Sequence, residues 1–280
     1  MGARSGRPQA KGPAYGGLRG LRFVFYGRVS TEDWPDPVTS RARQREQAGA
    51  IRWTMSTLTS DVNIQACTVQ SMCGPDFDFG SGPSLIRLPG RELLGIGQKS
   101  GVYWSLNPQT GTVAWHTQVG PGSAYGGMLW GSATDDTHIY VAIGNVYSEP
   151  YPITPTTGQT TTSGGSWAAL DAATGKILWQ GADPQQAADV GYVTTANGLV
   201  YAGSDAAAGN DMYLLDAATG TILWRFASGA PVASGASIAG GSVYWGSGYD
   251  LLATRCTNGT GAIRACKGFG GKMYTFRLAE

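Results

Sequence analysis

The ten residues Leu-Asp-Ala-Ala-Thr-Gly-Lys-Ile-Leu-Trp at 170–179 return almost unchanged at 215–224, so the chain contains a repeat. A looser copy carries Asn107, Thr110, Gly111 and Trp115, and Gly49 with Trp53 has the spacing of the tail of another. In every copy the Gly stands four residues before the Trp. Asp-x-x-Thr-Gly is turn chemistry in which Gly takes positive φ at no steric cost, and the x-x-x-Trp after it reads as a short strand ending in a large aromatic. The unit is a hairpin anchored by a Trp. The glycines at 49, 111, 175 and 220 are 62, 64 and 45 residues apart, near the size of one four-stranded sheet with insertions. Sheets repeated at such periods are read as propeller blades.

Composition agrees with an all-β chain: 43 Gly and only 14% charged residues among 280 leave many turns and enough apolar surface for a sizeable core. No apolar run is long enough to cross a membrane, and a net charge of +1 provides no field for nucleic acid or anionic lipid. The charge is uneven, however, with eight of fifteen arginines among residues 1–48. That segment fits none of the later rhythm, with turn-like Trp34-Pro-Asp-Pro37 and one weak helix pattern over Arg41 to Gln47. Disorder, a basic tail or a start upstream of a truncated gene would each produce such a stretch. It lacks the apolar core and small-residue cleavage site of a secretory signal. Two regions are therefore expected: an atypical, irregular basic segment over 1–48 and a partial propeller over 49–280.

The four cysteines form two local pairs, Cys67 with Cys73 and Cys256 with Cys266. An even count in short loops suggests two disulfides and an oxidising compartment; buried reduced thiols are the plainer alternative. Neither pair has Cys-x-x-Cys spacing, and His116 and His138 stand far from both, which argues against zinc and covalent haem.

Strands are expected as follows. Ala50 to Trp53 reads as a strand end. One blade takes Ser84 to Leu88, Leu93 to Gly97, Val102 to Leu106 and Val113 to Thr117. A second starts near Met128 and continues through His138 to Ile143, Trp167 to Leu170 and Ile177 to Gln180, with 145–165 as an inserted loop. A third runs from Tyr192 through Leu199 to Gly203, Met212 to Leu215 and Ile222 to Phe226. Residues 232–278 supply a fourth, around Val243 to Gly246 and Lys272 to Leu278. That makes about four blades plus a fragment, where a closed ring generally needs roughly 4 to 8.

From Gly49 to Leu278 these residues resemble the pyrroloquinoline quinone (PQQ) dehydrogenases, most closely the polyvinyl alcohol dehydrogenase branch. The Asp-x-x-Thr-Gly-x-x-x-Trp repeat is similar to that family's tryptophan-docking motif. The resemblance implies an incomplete β-propeller of quinoprotein alcohol dehydrogenase type, similar to the C-terminal half of an eight-bladed enzyme. Gly74-Pro-Asp-Phe-Asp-Phe-Gly80 followed by Pro83-Ser-Leu-Ile86 resembles the segment bearing the catalytic Asp. Its best register gives that role to Asp76, with Asp78 second. A carboxylate is needed there to take a hydroxyl proton while hydride leaves carbon, and either Asp would also serve a calcium ion. Gly97-Gln-Lys-Ser-Gly101 places Lys99 where the family's basic residue hydrogen-bonds the quinone oxygens. Gly126-Gly-Met-Leu-Trp-Gly131 places Trp130 beside the cofactor, with Leu129 where many members have a quinone-binding Asn.

The resemblance thus implies PQQ with calcium, an alcohol substrate, a separate electron acceptor such as a cytochrome c, and a periplasmic or secreted location. The net charge of +1 gives no reason to expect a nucleic acid partner. The family's remaining calcium ligands and stacking Trp come from earlier blades that are not assignable here, and open blade edges predict an oligomer or a poorly soluble chain. An alternative from another class is a non-catalytic propeller scaffold for protein interaction, as in some outer-membrane assembly proteins with these repeats. Taken alone, Gly-Pro-Asp is ordinary turn sequence and Lys99 a hairpin lysine. The docking residues Trp115, Trp179 and Trp224 read as structural, and His116 and His138 as strand residues. Gly95, Gly97 and Gly101 precede a strand, unlike a dinucleotide fingerprint, and no Gly-x-Ser-x-Gly is present.

Overall fold

The computed structural model describes residues 51–58, 61, 74–155, 158–249 and 271–277. The chain clusters into two compact units, Met1–Thr54 and Met55–Glu280. The basic segment 1–48, Gly49, Ala50 and all four cysteines, with their expected pairings, lie outside the described residues. Residues 51–53 belong to no strand, and Ile51 is 72% exposed, so the expected strand end there is not formed. Among the described residues no strand neighbours these three, so no ladder holds them extended.

Every described element of the second unit is a strand, and every pairing is antiparallel. The first sheet is β1 (Ser84–Leu88), β2 (Arg91–Gly97), β3 (Val102–Leu106) and β4 (Val113–Gln118), in that order. The second runs β5 (Ala133–Thr134), β6 (His138–Ile143), β9 (Ser166–Asp171) and β10 (Ile177–Ala182). Between β6 and β9 in the chain, β7 (Tyr151–Pro152) pairs with β8 (Thr161–Thr162) as a separate two-stranded sheet. The third contains β11 (Thr194–Ala196), β12 (Leu199–Gly203), β13 (Met212–Asp216) and β14 (Ile222–Phe226). The fourth is three-stranded: β15 (Ser237–Ala239), β16 (Ser242–Ser247) and β17 (Lys272–Arg277).

Side chains of period two explain how these meander sheets stack. Along β6, Ile139, Val141 and Ile143 enter a core shared with Ile86, Leu93 and Tyr103 of the first sheet. The alternate residues Tyr140 and Ala142 enter a second core with Val200, Tyr213 and Leu215 of the third. Strand β12 repeats the arrangement: Val200 and Ala202 face the second sheet, whereas Tyr201 packs with Trp245 of the fourth. Inner sheets are therefore buried on both faces, and consecutive sheets stack as blades. No core cluster of the described residues joins the first sheet to the fourth, so the blades form an incomplete β-propeller.

The repeated motif supplies the fastening. Asp171 Oδ1 accepts the backbone N–H of Ala173 (3.1 Å) and Thr174 (2.8 Å) and the Thr174 hydroxyl (2.7 Å), and Asp216 does the same for Ala218 and Thr219. The turn closes with Gly175 at φ 76° and Gly220 at φ 72°. Across the blade boundary, Trp115 Nε1 donates to Ala172 O (3.3 Å) and Trp179 Nε1 to Ala217 O (3.0 Å). Each ring lies over the next blade's turn glycine; a Cβ on Gly220 would stand 2.5 Å from Trp179 Cε3. Gly is needed there both for the left-handed backbone and for the ring above it.

Two expectations need correcting. The second blade begins at Ala133, not near Met128, because residues 126–131 are held as a loop. Met128 N donates to Gln98 O (3.2 Å), Gly144 N donates to Gly127 O (2.8 Å), and Gly127 lies directly on the backbone of Lys99 and Gly101. The insertion 145–165 is more than an extended loop: β7 and β8 pair within it, and Tyr151 and Ile153 join the first core. Asn145 Nδ2 pins it, donating to Glu149 O (2.9 Å), Ser163 O (3.0 Å) and Gly164 O (2.9 Å).

Candidate functional site

Antiparallel order puts the start of β1, the β2–β3 turn and the loops before β5 and β11 at one end of the sheets. The approach to β1 carries Asp76 and Asp78; the β2–β3 turn carries Lys99. Lys99 N donates to Asp78 O (3.1 Å), joining the two segments through the main chain. Lys99 Nζ then lies 2.8 Å from Asp78 Oδ2 and 3.5 Å from Asp76 Oδ1. Residues 21 or more apart in the chain thus converge.

The two carboxylates differ in surroundings. The Asp76 side chain is 6% exposed and its backbone has φ 60°, whereas the Asp78 side chain is 59% exposed. A left-handed non-glycine residue is uncommon and needs support from its surroundings. Asp61 provides it, accepting the N–H of Asp76 at Oδ1 (2.7 Å) and of Phe77 at Oδ2 (2.8 Å). From the other side, buried Gln98 donates through Nε2 to Phe77 O (2.7 Å) and Thr57 Oγ1 (2.6 Å). Its Oε1 accepts from Ser100 Oγ (2.8 Å) and Trp104 Nε1 (3.0 Å). Asp61 and Gln98 were not singled out from sequence. Asp61 falls in a loop with no motif, and Gln98 gained notice only as the neighbour of Lys99.

An open cavity of about 190 Å³ adjoins this turn, lined by residues that include Thr57, Asp61, Phe77, Asp78, Phe79 and Gln98. Asp78 faces it; Asp76 and Lys99 are not in its wall. Small-molecule sites usually enclose roughly 300–1,000 Å³, so this open cavity is smaller than a typical one. Trp130 stands apart from the trio. It is 36% exposed and meets Tyr249 edge-on at 6.2 Å. Among the described residues no hydrogen bond or ring contact links it to Lys99, Asp76 or Asp78. Its neighbours do reach the site: Met128 packs on Gly97 and Leu129 on Gly80. No group of three or more His, Cys, Asp or Glu side chains among the described residues is arranged to hold a metal ion.

Residues 99–262, more than half of the chain, match the PQQ_2 family model, described as outer membrane protein assembly factor BamB. The chain belongs to the PQQ_2 family. Among individual proteins it is 33% identical over 141 residues to a polyvinylalcohol dehydrogenase of Sphingopyxis sp. (strain 113P3), covering 47% of this chain and 20% of that one. It is 29% identical over 287 residues to a polyvinylalcohol dehydrogenase of Pseudomonas sp., covering 93% of this chain and 44% of that one. The chain therefore spans less than half the length of the curated relatives it matches. Among solved structures, the quinohemoprotein alcohol dehydrogenase of Comamonas testosteroni aligns with a TM-score of 0.43 at 18% identity, over 60% of this chain and 33% of that one. Among the described residues, no helix of this PQQ_2 protein is long and apolar enough to cross a membrane.

Proposed function

We propose that this PQQ_2 chain forms part of a quinone-dependent alcohol dehydrogenase acting on polyvinyl alcohol or similar alcohols. The observation carrying this reading is the convergence of Lys99 with Asp78 and Asp76 beside an open cavity, in a chain whose relatives bear the name polyvinylalcohol dehydrogenase. The donor set suits the quinone: a fixed ammonium is the group that its carbonyl oxygens require, and Phe77 and Phe79 offer apolar surface in the adjoining wall. When bound, pyrroloquinoline quinone supplies the two-electron acceptor that takes hydride from the alcohol carbon.

This chain's residues would supply positioning and proton transfer. Lys99 donates hydrogen bonds to oxygens on which negative charge develops. Asp78 faces the cavity and accepts the hydroxyl proton, a role that needs a carboxylate within reach of substrate. Asp76, buried beside Lys99, holds that ammonium in place. This assignment exchanges the order in which the sequence ranked the two aspartates. The described residues do not by themselves assemble a calcium site, since Lys99 stands between the two carboxylates and no third acidic ligand joins them. No step here is routed through a metal. A separate electron acceptor and a periplasmic or secreted location belong to the same proposal.

A second reading, a non-catalytic scaffold for protein assembly, is favoured by the description of the matching family and by Leu129 at the position of the expected Asn. Fluorescence titration with pyrroloquinoline quinone, with and without Ca²⁺, separates the two. Micromolar binding weakened at least tenfold by Lys99→Ala, with dye-linked alcohol oxidation lost in Asp78→Asn, supports the dehydrogenase. Absence of binding at high micromolar quinone favours the scaffold.

A further inference from the structure

Asp183, Asp189 and Asp205 gather where the loop after β10 meets the loop between β12 and β13. Asp183 and Asp189 are wholly buried. Asp183 Oδ1 accepts the N–H of Gln185 (2.5 Å) and Ala187 (3.4 Å), and the Ser204 hydroxyl also bonds this carboxylate, yet no donor reaches its Oδ2. Neither oxygen of Asp189 receives a donor; its hydrogen-bonding neighbour is the carboxyl of Asp183. The groups acting on Asp189 are Asp183 and Asp205, and it acts in turn on Tyr151 and Tyr213. Asp211, nearby on the third sheet, is occupied by Ser228, Gly229 and Ala230. None of these groups is a cation.

The two buried carboxylates of Asp183 and Asp189, with no basic partner among the described residues, require either a metal ion or a proton. A metal is disfavoured, because no group of three acidic, His or Cys side chains among the described residues is arranged to ligate one. A proton needs only two facing carboxyls. We propose that Asp183 and Asp189 share one proton and form a pH-sensitive latch that holds the inserted segment of the second sheet against the third. The loop 183–190 makes that connection. Gly165 N donates to Ala187 O (2.6 Å), Asp205 N donates to Ala188 O (2.9 Å), and Gln186 Oε1 accepts from Thr162, Ser163 and Gly164. Gly165 passes directly over Asp189 Oδ2, where a Cβ would stand 2.7 Å away. Ala188 and Val190 then pack on Leu129, the residue touching Gly80 beside the candidate site.

Burial first, and the Asp183 charge second, raise the Asp189 pKa well above the ordinary carboxylate value. A folded-state value above the unfolded one contributes stability that is complete below about pH 4 and is lost as pH rises toward the folded value. Within that window each pH unit lowers the folding equilibrium constant by up to about tenfold.

The test is urea unfolding of the full chain from pH 5 to 8 for wild type and Asp189→Asn, whose amide donates to Asp183 at every pH. The wild-type midpoint should fall with pH while the variant stays level across the range. Parallel profiles overturn the proposal. Carboxyl ¹³C NMR of the wild type decides independently, even if the variant does not fold. Asp189 should stay protonated well above pH 5, and titration near pH 4 overturns the latch. A rise in wild-type Tm with millimolar Ca²⁺ that is absent in Asp189→Asn would make the cluster a cation site and also overturn it.

Discussion

The indole N–H of Trp179 donates to the carbonyl of Ala217, 38 residues further on and in the next blade, at 3.0 Å. Ala217 follows Asp216, which begins that blade's own copy of the motif. The copy at 170–179 therefore provides a Trp for the blade ahead and a seat for Trp115 of the blade behind. A motif that looks like a local hairpin is half of an interblade joint.

Trp179 is 1% exposed, so its removal leaves a large cavity and an unmet carbonyl. Trp179→Ala should destabilise the propeller by about 3–5 kcal/mol, whereas Leu223→Ala, at 57% exposure in β14, should change stability by less than about 0.5 kcal/mol. Urea unfolding followed by fluorescence measures both; equal effects would contradict the joint.

Gly220 and Gly198 separate backbone from packing. Both have left-handed φ, 72° and 74°, but only Gly220 lies beneath an indole; nothing lies within 4 Å of a Cβ at Gly198. Gly198→Ala should cost about 1–2 kcal/mol from the backbone alone, and Gly220→Ala clearly more. Similar losses in chemical denaturation would show that the Trp179 ring yields freely.

Gln98 occupies four partners from inside the β2–β3 turn. Gln98→Leu should cost about 1–3 kcal/mol through unmet buried groups and should loosen the Asp76–Asp78 turn against Lys99. Amide exchange at Lys99, whose N–H bonds Asp78 O, should quicken relative to Leu106 in β3. Unchanged exchange at Lys99 would remove Gln98 from this role.

Asp171 has a lowered pKa because, first, the Thr174 hydroxyl bonds its charged form; the backbone N–H groups of Thr174 and Ala173 assist. Since the folded value lies below the unfolded one, its contribution is present above about pH 4 and disappears as pH falls through the folded value. Asp171→Asn should therefore flatten the acid limb of a Tm–pH profile below about pH 4 while leaving its slope above pH 6 unchanged. An unaltered acid limb would show that the turn does not depend on that charge.

Much of the fold was legible because its signals are local. Alternation of apolar residues places β1, β3, β6, β12 and β13 within a residue or two, and Thr-Gly marks the turns through glycine's backbone. The start of the second blade was misplaced because Met128 and Leu129 look like strand residues, but tertiary bonds to Gln98 and Gly144 hold them as a loop. In the candidate site, spacing alone left Gly-Pro-Asp an ordinary turn and Lys99 a hairpin lysine; only the resemblance to the quinoprotein dehydrogenases singled out Lys99 and the Asp-x-Asp pair. It did not tell which carboxylate faces the cavity, because that follows from the φ of 60° at Asp76, held by Asp61 from 15 residues away.

Sequence alone determined the repeat and the all-β class, because periodicity and turn chemistry are carried by neighbours along the chain. Only the tertiary structure decided that Trp115 and Trp179 seat on the next blade's turn, that Asp78 is open while Asp76 is buried, and that Asp183 and Asp189 face each other with no cation against them among the described residues. Those outcomes depend on burial and on contacts between distant loops, and burial is a property of the packed chain rather than of any segment within it.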